Sequence, residues 1–151
     1  MKMEEKDVLA KHVEILKKIG EYLIGEAKKL CPLDMGHLRN SISCRVDGDS
    51  VTIFSPLDYA EDMEYGKPPE PLSGTEKEDV REWAKRHKIK NAEGVIRNLE
   101  HRGIRVGTVE SPMHITSFRR NSYRPFLRPA IHRSHAGVNK IIMQGLMELS
   151  A

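Results

Sequence analysis

His132 and His135 stand three residues apart near the C-terminus, a spacing at which two imidazoles on one helix face can share a metal ion. Nothing beside them supplies a carboxylate or thiol as third ligand, so a solvated or phosphate-facing pair is the reading they support. Asp58, Glu61, Asp62 and Glu64 place four carboxylates within seven residues, oxygen ligands of the type Mg²⁺ takes in a nuclease. No Lys or His is tied to them at a nuclease spacing, and the chain has neither a Gly-rich phosphate loop nor a nucleophile elbow. Cys31 and Cys44 are too few for a disulfide framework and lack the paired spacing of a zinc site, so they read as small buried thiols in a reducing compartment. Enzyme is the weaker class, a metal-dependent nuclease its remaining form, and no cofactor or metal is expected.

Charge points elsewhere. The 151 residues carry 25 Lys+Arg against 22 Asp+Glu, a net charge of +3. Between Ser111 and Met147 there is no acidic residue, while Arg119, Arg120, Arg124, Arg128, Arg133 and Lys140 add six positive charges. The remainder is net negative, most so around Asp58 to Glu64. Opposed patches of this kind suit head-to-tail subunit contacts, a polyanion facing the basic part, or simply two solvated faces. Guanidinium groups that touch phosphates without reading bases fit such a segment, whereas an aromatic content of 5% disfavours stacking on single strands. The charged start of the chain lacks the apolar stretch of a signal peptide, and no run approaches the roughly 20 apolar residues of a membrane span.

These groups need elements to hold them. Leu9, Val13, Leu16, Ile19, Leu23, Ala27 and Leu30 recur at helical period and predict one amphipathic helix from Asp7 to Leu30, ended by Pro32. Ile42, Cys44 and Val46 alternate with polar residues, as do Val51 and Ile53, across Asp47-Gly48-Asp49, predicting a β-hairpin from Ser41. Asp58 to Tyr65 predicts a helical turn, and Pro68-Pro69-Glu70-Pro71 an extended loop. Thr75 with Glu78 reads as a capping box opening a helix to Lys88; a weaker helix follows from Asn91 to His101, with Val95 and Leu99 inward and Gly103 as its C-cap. Ile104 to Arg124 has no clean period, and Pro129 serves as the first residue of one closing amphipathic helix.

Three motifs, in order, resemble one family. Cys31-Pro32-Leu33-Asp34-Met35-Gly36-His37-Leu38-Arg39-Asn40-Ser41-Ile42 is similar to a pattern A-P-x-D-T-G-x-L-R-x-S-I between first helix and first strand. Tyr59-Ala60-Glu61-Asp62-Met63-Glu64-Tyr65-Gly66 resembles Y-A-x-x-x-E-F-G-T, and Arg124-Pro125-Phe126-Leu127-Arg128-Pro129-Ala130 resembles x-P-F-L-x-P-A before the last helix. The family is that of the small neck or tail-component proteins of long-tailed bacteriophages, grouped with tail-completion and head-to-tail-joining proteins. Met35, Cys31 and Lys67 depart from its usual Thr, Ala and Thr.

The resemblance implies an α+β fold: an antiparallel sheet of about four strands packed against the long N-terminal helix and the C-terminal helix, in a single domain with a helical insertion at about 67–123. It implies a hexameric or dodecameric ring in the virion, at the head-tail junction, assembled in the host cytoplasm. Such a ring lies between a portal-side connector and tail-tube or tail-terminator proteins, and genome DNA passes its lumen without base reading. Pro32, Asp34, Gly36, Leu38, Arg39, Ser41, Tyr59, Ala60, Glu64, Gly66, Pro125, Phe126, Leu127, Pro129 and Ala130 are then fold and ring-interface residues. Arg39 is a candidate partner for an acidic residue such as Glu64, in the same chain or its neighbour. Arg119, Arg120, Arg124 and Arg128 are candidates for facing a partner or DNA. The alternative is a stand-alone basic DNA-binding protein with non-specific phosphate contacts.

Overall fold

A computed structural model describes residues 4–32, 35–106, 122–123 and 125–151. They form α1 (Glu5–Leu30), α2 (His37–Ser41), β1 (Ser43–Asp47), β2 (Ser50–Phe54), α3 (Ala60–Tyr65), α4 (Gly74–Arg86), α5 (Ala92–Arg102), β3 (Arg105–Val106), β4 (Ser122–Tyr123), α6 (Leu127–Arg133) and α7 (His135–Ser150). The chain divides into two compact units, Met1–Ala60 with Pro125–Ala151, and Glu61–Arg124.

In the first unit α1 is the spine, packed by β1, β2, α6 and α7. Glu5 and Asp7 in its first turn and Lys28 and Lys29 in its last complement the helix dipole, and Cys31, held extended before Pro32, ends it. The buried row is Ile15, Ile19, Leu23 and Ala27; the last three belong to the predicted period, while Leu9, its first residue, is 63% exposed. The cause is the length of the hairpin. Its tip reaches the level of His12, whose Nε2 lies 3.0 Å from Asp49 Oδ1, and Leu9 stands one turn nearer the N-terminus.

The hairpin is antiparallel with Cys44 opposite Ile53 and Val46 opposite Val51, so the alternation seen in the sequence does set one apolar face. Gly48, at φ 56°, supplies the positive dihedral of its two-residue turn. The hairpin can lie close to α1 because residue 20 is glycine; a Cβ there would meet Cys44 Sγ at 2.6 Å and Val51 Cγ1 at 3.3 Å. Helix α7 runs antiparallel to α1: Lys11 pairs with Glu148, Gly145 lies against Ile15 and Gly137 against Tyr22.

The sheet is smaller than expected. In place of about four antiparallel strands, the described residues hold one antiparallel pair, β1 with β2, and a two-residue parallel pair, β3 with β4. Period-two alternation occurs only in the hairpin, while the stretch after Pro71 carries helix caps and helical spacing, and folds accordingly. The strand expected from Ser41 begins at Ser43, because Ser41 closes α2 and gives its hydroxyl to the Leu38 carbonyl at 2.7 Å.

The single closing helix is two. Ser134, 1% exposed, donates its hydroxyl to the Ala130 carbonyl at 2.5 Å and adopts ψ 5°, which breaks the helix between α6 and α7. Pro129 is the third helical residue of α6, where its missing N–H still costs nothing.

In the second unit the capping box is Ser73 with Glu76, two residues before the predicted one. The Ser73 hydroxyl accepts from the Glu76 amide at 3.2 Å and the Glu76 carboxylate from the Ser73 amide at 2.8 Å. These bonds, with Lys67, hold the Glu76 carboxyl below the usual carboxylate range. That support is present above the ordinary pKa of a glutamate and is lost as pH falls through the depressed value. Ser73→Ala should cost about 1 kcal/mol, measured by denaturant unfolding, with the deficit shrinking in acid.

Asn91 caps α5 through its side chain, and Gly103 ends it as expected; the residue turned fully inward is Ile96, 3% exposed, rather than Val95 or Leu99. Arg81 joins α4 to α5 by reaching Glu93 at 2.8 Å while holding Glu78 at 3.1 Å, and Lys77 reaches Glu100 at 2.9 Å.

Candidate assembly surface

The first motif is the connection from α1 to the hairpin. Gly36 sits at φ 84°, a left-handed conformation that costs glycine little, and its carbonyl accepts the Asn40 amide at 2.8 Å to start α2. The short helix buries Leu38 at 6% exposure and leaves Arg39 half-buried, with no ion pair to Arg39 among the described residues. Ser41 binds Ser55 Oγ at 2.7 Å, which ties α2 to the far end of β2. Pro32 is half-buried; Asp34, expected to be a fold or interface residue of this motif, lies outside the described residues.

The second motif begins with Tyr59, 46% exposed, and Ala60, whose amide binds the Leu57 carbonyl at 3.0 Å to open α3. Glu64 is 2% exposed, and Gly66, at φ 84°, closes the helix by donating to the Asp62 carbonyl at 2.8 Å. The four carboxylates of this segment do not converge: Asp58 and Glu61 are exposed, Asp62 is half-buried and Glu64 is buried. Burial pushes the Asp62 carboxyl up, against the opposing pull of Lys67. Among the described residues no group of three or more His, Cys, Asp or Glu side chains is placed to hold a metal ion. The rings of His132 and His135 meet edge-on with centroids 6.2 Å apart, and both are exposed.

The third motif is the most buried. Pro125, Phe126, Pro129 and Ala130 are at most 1 or 2% exposed, and α6, which they open, packs on α1. Leu127 and Arg128 are half-buried. Arg119, Arg120 and Arg124 lie outside the described residues.

The motif residues thus split by role. Leu38, Ala60, Glu64, Pro125, Phe126, Pro129 and Ala130 are interior, while Tyr59, Arg39 and Arg128 keep part of their surface in solvent. Two features have little or no signature in the sequence. Helix α2 is too short for a periodic signal, and only Gly36 ahead of Leu38 marks it. In the second unit Lys67 gathers Glu70 at 2.5 Å and Glu76 at 3.3 Å, carboxylates that keep its ammonium above the ordinary lysine range, beside a cavity of about 190 Å³ floored by Leu72, Val80 and Leu99. No helix among the described residues is long and apolar enough to cross a membrane.

No curated protein and no solved structure matches the chain significantly. Residues 1–66, which hold α1, the hairpin and the first two motifs, match the model of the HK97-gp10-like family, described as "Bacteriophage HK97-gp10, putative tail-component", and it is this family of phage tail components that the chain resembles.

Proposed function

We propose that the protein is a structural virion component of a tailed bacteriophage or prophage, and that it forms a ring of six or twelve copies at the head-tail junction through which the genome passes. The observation that carries this reading is the family match over residues 1–66, and the chemistry agrees with it: the motif residues serve burial and chain reversal rather than a reactive centre. The protein works by shape, as neck or tail-completion subunit, without catalysis. Its partners are copies of itself, a portal-side connector and tail-tube or tail-terminator proteins. We read residues 1–151 as one such domain carrying an insertion at about 67–123; the compact unit Glu61–Arg124, interposed between the two pieces of the first unit, supports this.

The half-exposed motif side chains Tyr59 and Arg39 are ring-contact candidates in this reading, with Arg39 reaching an acidic residue of the neighbouring copy. Arg119, Arg120, Arg124 and Arg128 supply positive charge toward a partner or toward phosphates. Replacing Arg119 and Arg120 together with Glu should abolish joining of heads to tails in a complementation assay, while circular dichroism of the purified variant stays that of the wild type. Undiminished infectious yield contradicts the role given to these arginines. Salt-dependent binding of the isolated subunit to any duplex, lost in the same variant, would favour stand-alone DNA binding instead.

A further inference from the structure

Helix α7 has two apolar faces. One, with Gly137, Ile141 and Gly145, lies on α1. The other carries Met143, Leu146 and Met147, spaced i, i+3, i+4 and 53%, 50% and 63% exposed. In sixteen residues the helix has only two charges, Lys140 and Glu148. A helix apolar on opposite sides is one that expects cover on both.

What covers it is indicated by the edge of the strip. Lys140, Gln144 and Glu148 follow one another at four-residue steps and so form one row along the helix, beside the methionines. Lys140 is exposed and has no ion pair among the described residues, and Glu148, although it pairs with Lys11, keeps 54% of its side chain in solvent. In an antiparallel pair of helices centred on Gln144, this row meets its own copy in reverse: each Lys140 faces Glu148 of the second copy, and the methionines interdigitate. A parallel pair sets Lys140 against Lys140, which repels.

We propose that the outer face of α7 is a two-fold contact with α7 of a second copy of this chain, built on Met143, Leu146 and Met147 and registered by Lys140 and Glu148. Such a contact is isologous and self-limiting at two copies. A two-fold pair has no direction, whereas a head-tail junction does, so this pair is a state of the free subunit that opens when the subunit joins a polar ring.

The test is the mass of the purified full chain by sedimentation over a range of concentrations. The wild type should form a dimer. Met143→Glu with Met147→Glu should be a monomer with an unchanged circular dichroism spectrum, since both side chains are already more than half exposed. Lys140→Glu should shift the dimer toward monomer, and Lys140→Glu with Glu148→Lys should restore it. Arg119→Glu with Arg120→Glu should leave the dimer intact, which separates this contact from the ring. A wild type that stays monomeric at every concentration overturns the proposal and assigns the strip to another protein. So does a dimer that persists in the Met143/Met147 variant.

Discussion

Phe126→Ala destabilises the first unit by about 3–5 kcal/mol, the usual cost of emptying a buried aromatic site. The side chain is 0% exposed, is flanked by Pro125, and caps the start of α6, whose Pro129 and Ala130 are also buried. Two prolines within five residues fix the backbone on both sides of the ring, so the surroundings cannot collapse into the vacated space. Much of the cavity term is therefore retained, which argues for the upper half of that range. The apparent Tm should fall by roughly 10 °C or more. Phe126→Leu, which keeps most of the volume, should cost roughly 1–2 kcal/mol by comparison. Equal losses for the two substitutions would show that the ring does not fill this site.

Gly103→Ala should destabilise the second unit by about 3 kcal/mol or more, from backbone strain and overpacking together. Gly103 has φ 65° and ψ −160°, a region that essentially only glycine occupies. A Cβ at this position would run into the Lys67 carbonyl and lie 2.7 Å from Pro68 C and 2.9 Å from Pro69 N, all backbone atoms that cannot rotate away. The close approach exists because Lys67 and Ile104 exchange both amide hydrogen bonds, Lys67 N to Ile104 O at 3.0 Å and Ile104 N to Lys67 O at 2.8 Å. Hydrogen exchange at the Lys67 and Ile104 amides reads the damage directly, and protection equal to the wild type contradicts it. The contrast is Gly25, inside α1, where an added Cβ would meet nothing within 4 Å and Ala should stabilise by about 0.5–1 kcal/mol.

These two sites mark the difference between what the sequence makes legible and what it hides. The period of α1, the hairpin with its Gly48 turn, and Gly103 as a C-cap are local: each follows from spacing and from the dihedral a residue allows. The register of the buried row on α1 is not local, because it depends on how far the hairpin reaches along the helix. The break at Ser134 is hidden for a similar reason: a serine inside an apolar period becomes a stop only when its hydroxyl turns back to the Ala130 carbonyl. The capping box shows competition between two plausible signals, Ser73 with Glu76 and Thr75 with Glu78, decided by the extended backbone at Ser73 that follows Pro71. The sheet of about four strands rests on resemblance alone, while the alternation itself accounts for two strands.

Of the candidate surface, the motifs are legible as order and spacing, and residues 1–66 match the family they resemble. Which motif residues face inward is not. Glu64 is a charged residue with the burial of a core residue, and Tyr59, an aromatic, keeps 46% of its surface exposed, the reverse of what their side chains suggest. The apolar outer face of α7 is hidden by its own period: one helix carries enough apolar residues for two faces, and only the position of α1 shows which one is left over.

The most direct measurement of the central claim is the number and position of copies of this chain in purified phage particles, by quantitative mass spectrometry of the particles together with labelling of the protein in electron micrographs. Six or twelve copies per particle, all at the junction of head and tail, is the result predicted. Absence from the particles, or many copies spread along the tail or over the head, would contradict it.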